Sequence, residues 1–210
     1  MTKKEICVIL GTAHGYNVKG KQSPDGTLKE YQWSRKACAF IQQKLQEEGY
    51  RVIIDHTGND EIGLSNRAQI VNNYCAYFGA SKCLYFSIHN NAAGSDGKWK
   101  TATGWESHIA KNASEKSKRI ANILWEEFEK TGLKLRRPLP KQNYWTSNFT
   151  VLTKTKCPAV LVETLFQDNK EDVKYLLSNE GFTTICNTYI CAIKRYVDEI
   201  VDNGSSNEPM

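Results

Sequence analysis

Apolar runs and glycine stops alternate along this 210-residue chain. The stretch EICVILG predicts a buried strand that enters a glycine turn. From Leu28 to Glu48, the residues Trp33, Ala37, Phe40, Ile41 and Leu45 share one helical face, and Gly49 closes that helix. YRVIID reads as the next strand, LSNRAQIVNNYCAYFGA as a helix ended by glycine, and CLYFSIH as an apolar strand that stops at His89. A polar loop follows, then WESHIA as a short strand and Ser114 to Lys130 as a helix carrying Ile120, Ile123, Leu124 and Phe128. KLRRPLPKQNYWTSN has two prolines and no period, so it reads as a loop that borders a site. FTVLT and PAVLVET read as two further strands. Asn169 to Ile200 is expected to be helical in two pieces split near Gly181, and residues 201–210 form a polar tail.

Strands that alternate with helices predict an α/β fold: a single layered domain over residues 1–200, with a mostly parallel twisted sheet flanked by helices. No internal repeat or second domain is visible. Ligands of such sheets bind beyond the carboxyl ends of the strands. That rule changes how the polar residues read. His14 follows the first strand, His89 ends the SIH strand, and Glu163 ends AVLVE, so all three fall on one edge of the sheet. Glu30 opens the first long helix near the same edge. Two histidines and a carboxylate make a zinc donor set with a position left open, and a second carboxylate is what such a site needs as general acid and base.

Each residue also has a plainer reading. Glu30 completes the helix-start pattern TLKE, with Thr27 as the capping residue. His14 reads equally as a turn histidine and His89 as a strand-end histidine. Glu163 is harder to place otherwise, because a charge beside a buried strand is costly without a partner. His56 and His108 match no ligand position and read as structural or surface residues. Trp99, Tyr144 and Trp145 lie in expected loops, where they either meet a ligand or pack locally.

Together these segments resemble the zinc-dependent N-acetylmuramoyl-L-alanine amidases of the type 3 family. The resemblance rests on GTAHG, KEYQWS, LSNRAQIVN, FSIHNN and CPAVLVETLFQDN in that order, and it runs from about Ile6 to the last helix. It implies one zinc ion held by His14, Glu30 and His89, with Glu163 as the catalytic acid/base and Asn91 in a supporting role. It implies peptidoglycan as substrate, cut at the amide between N-acetylmuramic acid and the L-alanine of the stem peptide. The chain departs from the family pattern at Tyr16, where a second glycine is usual, and at Thr164, where a small residue is usual. The family often has an arginine near the position of Arg136 or Arg137. A zinc carboxypeptidase acting on peptide stems and a non-catalytic wall-binding module are the alternatives.

Composition trims the remaining classes. Hydrophobic residues make up 40% and charged residues 24%, an ordinary globular balance. The net charge of +5 suits a negatively charged partner, but the basic residues are spread along the chain, so nucleic acid is not expected. The apolar start is too short for a signal peptide, and no run approaches a membrane span. The chain is therefore expected to be made in the cytoplasm, as a monomer without stable membrane insertion. It would reach the wall after release, as a phage endolysin does. Seven cysteines with no C-x-x-C pair predict neither a disulfide framework nor a Cys₄ zinc site, but small buried side chains.

Overall fold

The structure, a computed structural model, describes residues 2–205. Six strands, β1 (Cys7–Thr12), β2 (Arg51–Ile54), β3 (Cys83–Asn91), β4 (Glu106–Ala110), β5 (Trp145–Ser147) and β6 (Ala159–Phe166), form one sheet in the order β2-β1-β3-β6-β4-β5. Every pairing is parallel except β4 against β6. The helices are α1 (Glu30–Glu47), α2 (Leu64–Phe78), α3 (Glu115–Glu129), α4 (Thr150–Thr153), α5 (Lys170–Leu177) and α6 (Asn179–Ser205). This is the expected α/β domain with a mostly parallel sheet.

Strand alternation sorts the core into two layers. Val8, Leu10, Leu84, Phe86, Ile88, Val160 and Val162 face α1, α3, α5 and α6. Cys7, Ile9, Cys83, Tyr85, Ala159 and Leu161 face the thinner layer formed by α2 and α4. The cysteines are free thiols, six of them buried and Cys191 exposed, as their apolar surroundings predict.

The chain leaves β1 towards β2 on one side and leaves β3 towards β6 on the other. The order therefore reverses between β1 and β3, and the carboxyl ends of these two strands flank the natural crevice of the sheet. His14 lies two residues beyond β1, and His89 lies near the end of β3.

Several elements differ from the sequence reading. FTVLT forms the helical turn α4 rather than a strand, with the Thr153 hydroxyl bonded to the Phe149 carbonyl at 3.2 Å. Short apolar runs do not separate strand from helix by periodicity, and here the turn buries both Val151 and Leu152. The proline-containing loop holds the edge strand β5, which pairs with β4 in the register His108↔Trp145. The split in the last helical segment falls at Ser178 rather than Gly181, and α6 runs past Ile200 to Ser205. Only 206–210 of the expected tail lie outside the described residues.

β3 and β6 also extend beyond His89 and Glu163, which face each other in register. After that pair β6 takes one extra residue before Phe166 meets Asn91, and Leu165 adopts a left-handed backbone with φ 59°.

The thick layer should dominate stability. Leu124→Ala, at a fully buried position of α3, is expected to cost about 2–5 kcal/mol in urea unfolding. A cost below about 1 kcal/mol would contradict the packing described.

Candidate metal centre and cleft

The loop after β1 turns sharply at His14, whose φ is 36°. Such a conformation is uncommon outside glycine and persists only where the surroundings enforce it. Two guanidinium groups do so. Arg35 donates to the carbonyls of Ala13 and His14, both at 2.9 Å, and Arg67 donates to those of Thr12 at 2.6 Å and His14 at 3.1 Å. Arg67 is itself buried between Asp55 (3.5 Å) and Glu61 (3.3 Å). Asp55 in turn accepts the Thr12 amide at 3.0 Å and the Tyr85 hydroxyl at 3.0 Å. Gly15 lets the Asp60–Glu61 backbone close over the turn, since a Cβ there would lie 2.0 Å from the Glu61 nitrogen.

Helix α1 begins at Glu30 itself, with Lys29 as the capping position. Thr27 does not cap it, because the Thr27 hydroxyl donates to Asp25 at 2.8 Å. Glu30 is thereby free to point inward, where it is 1% exposed. Its Oε1 accepts the Asn90 amide at 3.2 Å and lies 3.0 Å from Nδ1 of His89 and 3.7 Å from Nε2 of His14. One turn further along α1, buried Ser34 accepts the Ala13 amide at 2.9 Å and donates to the Ile88 carbonyl at 2.6 Å. A single hydroxyl thus ties the exits of β1 and β3 together.

His14, Glu30 and His89 each offer one donor atom, and these atoms lie within 4.8 Å of one another. The set fits a divalent ion on its own chemistry. Oε2 of Glu30 is buried without a hydrogen-bond partner, which is unfavourable for a carboxylate left alone. Two imidazoles and a carboxylate are borderline nitrogen and oxygen donors, and three protein donors leave room for a reactant.

His14 and His89 border a cleft of about 180 Å³, together with Glu163, Lys21, Leu64 and Phe149. Glu163 opens partly onto the cleft, while its Oε2 is buried without a partner. Burial first, then the carboxylates of Glu30 and Glu106, push the Glu163 acid well above the usual range, with Lys21 opposing. Burial acts against ionisation of Glu30 too, but His89, His14 and Lys21 outweigh it and hold this acid below its ordinary value. Burial lowers His14 to about 4, so its imidazole is neutral near pH 7, the form that binds metal.

Asn91 sits one step away from this cluster. Its Nδ2 donates to Glu106 Oε1 at 2.9 Å. Glu106 pairs across the sheet with Glu163 and is held by Arg136 at 2.8 Å and His108 at 3.2 Å. His108 therefore belongs to this supporting network, and His56 bonds the Asp60 carbonyl at 3.0 Å. Arg137 instead stacks over Trp125. Thr164 faces the core, where its hydroxyl meets that of Tyr189 at 2.6 Å, so this departure from the family pattern does not touch the cleft. Tyr16 is 62% exposed beside the turn. Trp99 and Tyr144 pack against the core and Trp145 lies in β5. Sequence reasoning missed Lys21, Ser34, Arg35, Asp55 and Arg67. Ser34 was within reach of pattern reading, lying four residues after Glu30 on the same face of α1.

A cleft of this kind defines an α/β protein able to hold a divalent ion opposite a buried acid. The family described as N-acetylmuramoyl-L-alanine amidase (Amidase_3) matches residues 8–195, and the chain belongs to it. N-acetylmuramoyl-L-alanine amidase CwlM of Bacillus licheniformis is 26% identical over 191 residues, 90% of this chain and 68% of CwlM. The probable cell wall amidase LytH of Staphylococcus aureus is 26% identical over 166 residues, and the match spans 49% of its length. Among solved structures, an N-acetylmuramoyl-L-alanine amidase from Clostridium difficile 630 superposes with a TM-score of 0.80 at 23% identity, covering 93% of this chain and 98% of that one. Ami1 from Mycobacterium smegmatis superposes with a TM-score of 0.78 at 16% identity, covering 92% and 97%. These superpositions share the fold.

Two outcomes follow for the protein without metal. Arg67→Met leaves Asp55 buried and unpaired, so unfolding free energy should fall by about 3–5 kcal/mol; a loss under about 1 kcal/mol would refute the clamp. His14 stays neutral in the fold while the unfolded chain binds a proton, so its contribution is complete above the unfolded value of about 6.5. Stability should therefore decline as pH falls from there to about 4. His14→Gln should flatten that part of a pH–stability curve measured with chelator present.

Proposed function

We propose that this chain is a zinc-dependent N-acetylmuramoyl-L-alanine amidase that releases the stem peptide of peptidoglycan from N-acetylmuramic acid. The observation that carries the proposal is the convergence of His14, Glu30 and His89 within 4.8 Å, beside a cleft lined by His14, His89 and Glu163, in a chain of this family. His14, Glu30 and His89 would hold the ion. When bound, zinc supplies Lewis acidity that lowers the pKa of water and polarises an amide carbonyl.

The remaining work belongs to the chain. Glu163 takes the proton of the attacking water and returns it to the departing alanine nitrogen. An acid lifted above its ordinary range suits both transfers, because its proton affinity lies nearer the working pH. Glu106 keeps negative charge beside Glu163 and is itself fixed by Arg136, His108 and Asn91. Asn91 thus supports the acid through Glu106. Arg35, Arg67 and Ser34 hold the His14 turn against β3, which sets the spacing of the two imidazoles. Leu64 and Phe149, both exposed at the cleft rim, offer apolar surface to the substrate.

The family match over residues 8–195 supports a single catalytic unit. Among the described residues no helix is long and apolar enough to cross a membrane. Action on the wall after release from the cell, as a monomeric lysin, is part of the same reading.

Digestion of purified peptidoglycan, with products analysed by mass spectrometry, tests it. Intact stem peptides with free L-alanine amino termini should appear, vanish with chelator and return with zinc. Cleavage within the stem would instead indicate a peptidase, and no cleavage under any metal condition a binding module. Glu163→Gln should retain zinc and lose about 10²-fold or more in kcat; near-normal turnover with zinc bound would remove Glu163 from the acid/base role.

A further inference from the structure

Lys21 stands where two cavities meet. It lines the cleft that holds His14, His89 and Glu163, and it also lines a neighbouring groove of about 490 Å³. The groove runs between the Lys19–Pro24 loop and the segment from Ala92 to Lys98, with Gln167 and Asp168 completing it. Lys21 is fixed at this junction by its backbone, because its carbonyl accepts the amide of Glu30 at 3.1 Å.

The groove is cationic, and the charge of Lys21 also reaches Glu30 and Glu163 in the cleft. Lys19, Lys21 and Lys98 all line it, and among the described residues none of the three has a carboxylate at ion-pairing distance. The two aspartates at the groove are engaged elsewhere. Asp168 accepts the amides of Ala93 at 2.9 Å and Gly94 at 3.0 Å, and Asp96 pairs with Lys100 at 2.8 Å. Gln167 is 1% exposed and spends its Nε2 on the Gly20 carbonyl at 3.3 Å, while its Oε1 is buried with no donor. Such a surface offers cations for a carboxylate. A peptide carries that group, whereas a neutral, hydroxyl-rich glycan carries no charge to answer three ammonium groups.

We infer that this groove is the subsite for the peptide side of the substrate, and that Lys21 selects a stem peptide bearing a free carboxylate close to the scissile amide over its carboxamide counterpart. The inference rests on the amidase reading, since that reading makes the departing group a peptide. Lys21 sits beside the reacting groups, and its charge bears on His14, Glu30 and Glu163 alike. A peptide carboxylate that meets Lys21 is therefore anchored next to the bond to be cut.

The test is binding, read without turnover. The probes are L-alanyl-γ-D-glutamyl-L-lysine amide and the same peptide with a carboxamide in place of the glutamyl α-carboxylate. Titration calorimetry with the metal-free and the zinc-loaded protein should show the acidic peptide binding about tenfold or more tightly, as one charge-assisted hydrogen bond predicts. Lys21→Met should bring the two affinities together, and Lys21→Arg should preserve the difference. Should Lys21→Met fail to fold, the pair Lys19→Met and Lys98→Met must still narrow it. Equal binding of the two peptides by the unmodified protein, no measurable binding of either, or full discrimination in Lys21→Met would each overturn the inference. Wall digestion reports separately. Lost digestion with discrimination intact counts against the amidase reading alone, and intact digestion without discrimination counts against this subsite alone.

Discussion

Two guanidinium groups, Arg67 buried and Arg35 half-buried, hold the exit of β1, and the site is built on that grip. Arg35 and Arg67 together occupy the carbonyls of Thr12, Ala13 and His14. Neither the left-handed turn at His14 nor the burial of Asp55 is favourable alone. Joined through Arg67 each compensates the other, since the cation that offsets the buried carboxylate also ties down the strained backbone. The arrangement reaches from α1 through the turn to α2, so the first histidine is positioned by tertiary structure rather than by its own loop.

Two carboxylates then share one low-dielectric cleft under opposite pressures. Glu30 has imidazoles and a backbone amide to stabilise its charge, whereas Glu163 has mainly burial and neighbouring acids. The same residue type therefore favours the anion in one place and the neutral acid in the other. Environment alone separates them. Lys21 opposes proton uptake by both, and it also lines the groove beyond the cleft.

Much of this was legible in the chain. Glycine stops and apolar runs located β1, α1, β2, α2, β3, α3 and β6, and the rule that ligands gather at strand ends put His14, His89 and Glu163 on one edge. Glu30 was ambiguous because TLKE satisfies a capping pattern, and only the competing bond from Thr27 to Asp25 decides the matter. FTVLT misled because its β-branched residues favour strands while its packing beneath the sheet favours a turn of helix. β5 was hidden by prolines and by its length of three residues. The lysines of the groove signal nothing locally, since their meeting depends on two separate segments, 19–24 and 92–98, coming together.

The extra residue in β6 alters which face each side chain serves. Up to Glu163 the strand keeps strict phase, with Ala159 and Leu161 on the same face as the acid. Continued unbroken, that phase would set Leu165 on the face of Glu163, as a greasy neighbour crowding the cleft. The slip at Leu165 rotates it instead into the core with Val160 and Val162. One residue in a costly conformation thus keeps a patch of the sheet bare beside Glu163, which opens onto the cleft there.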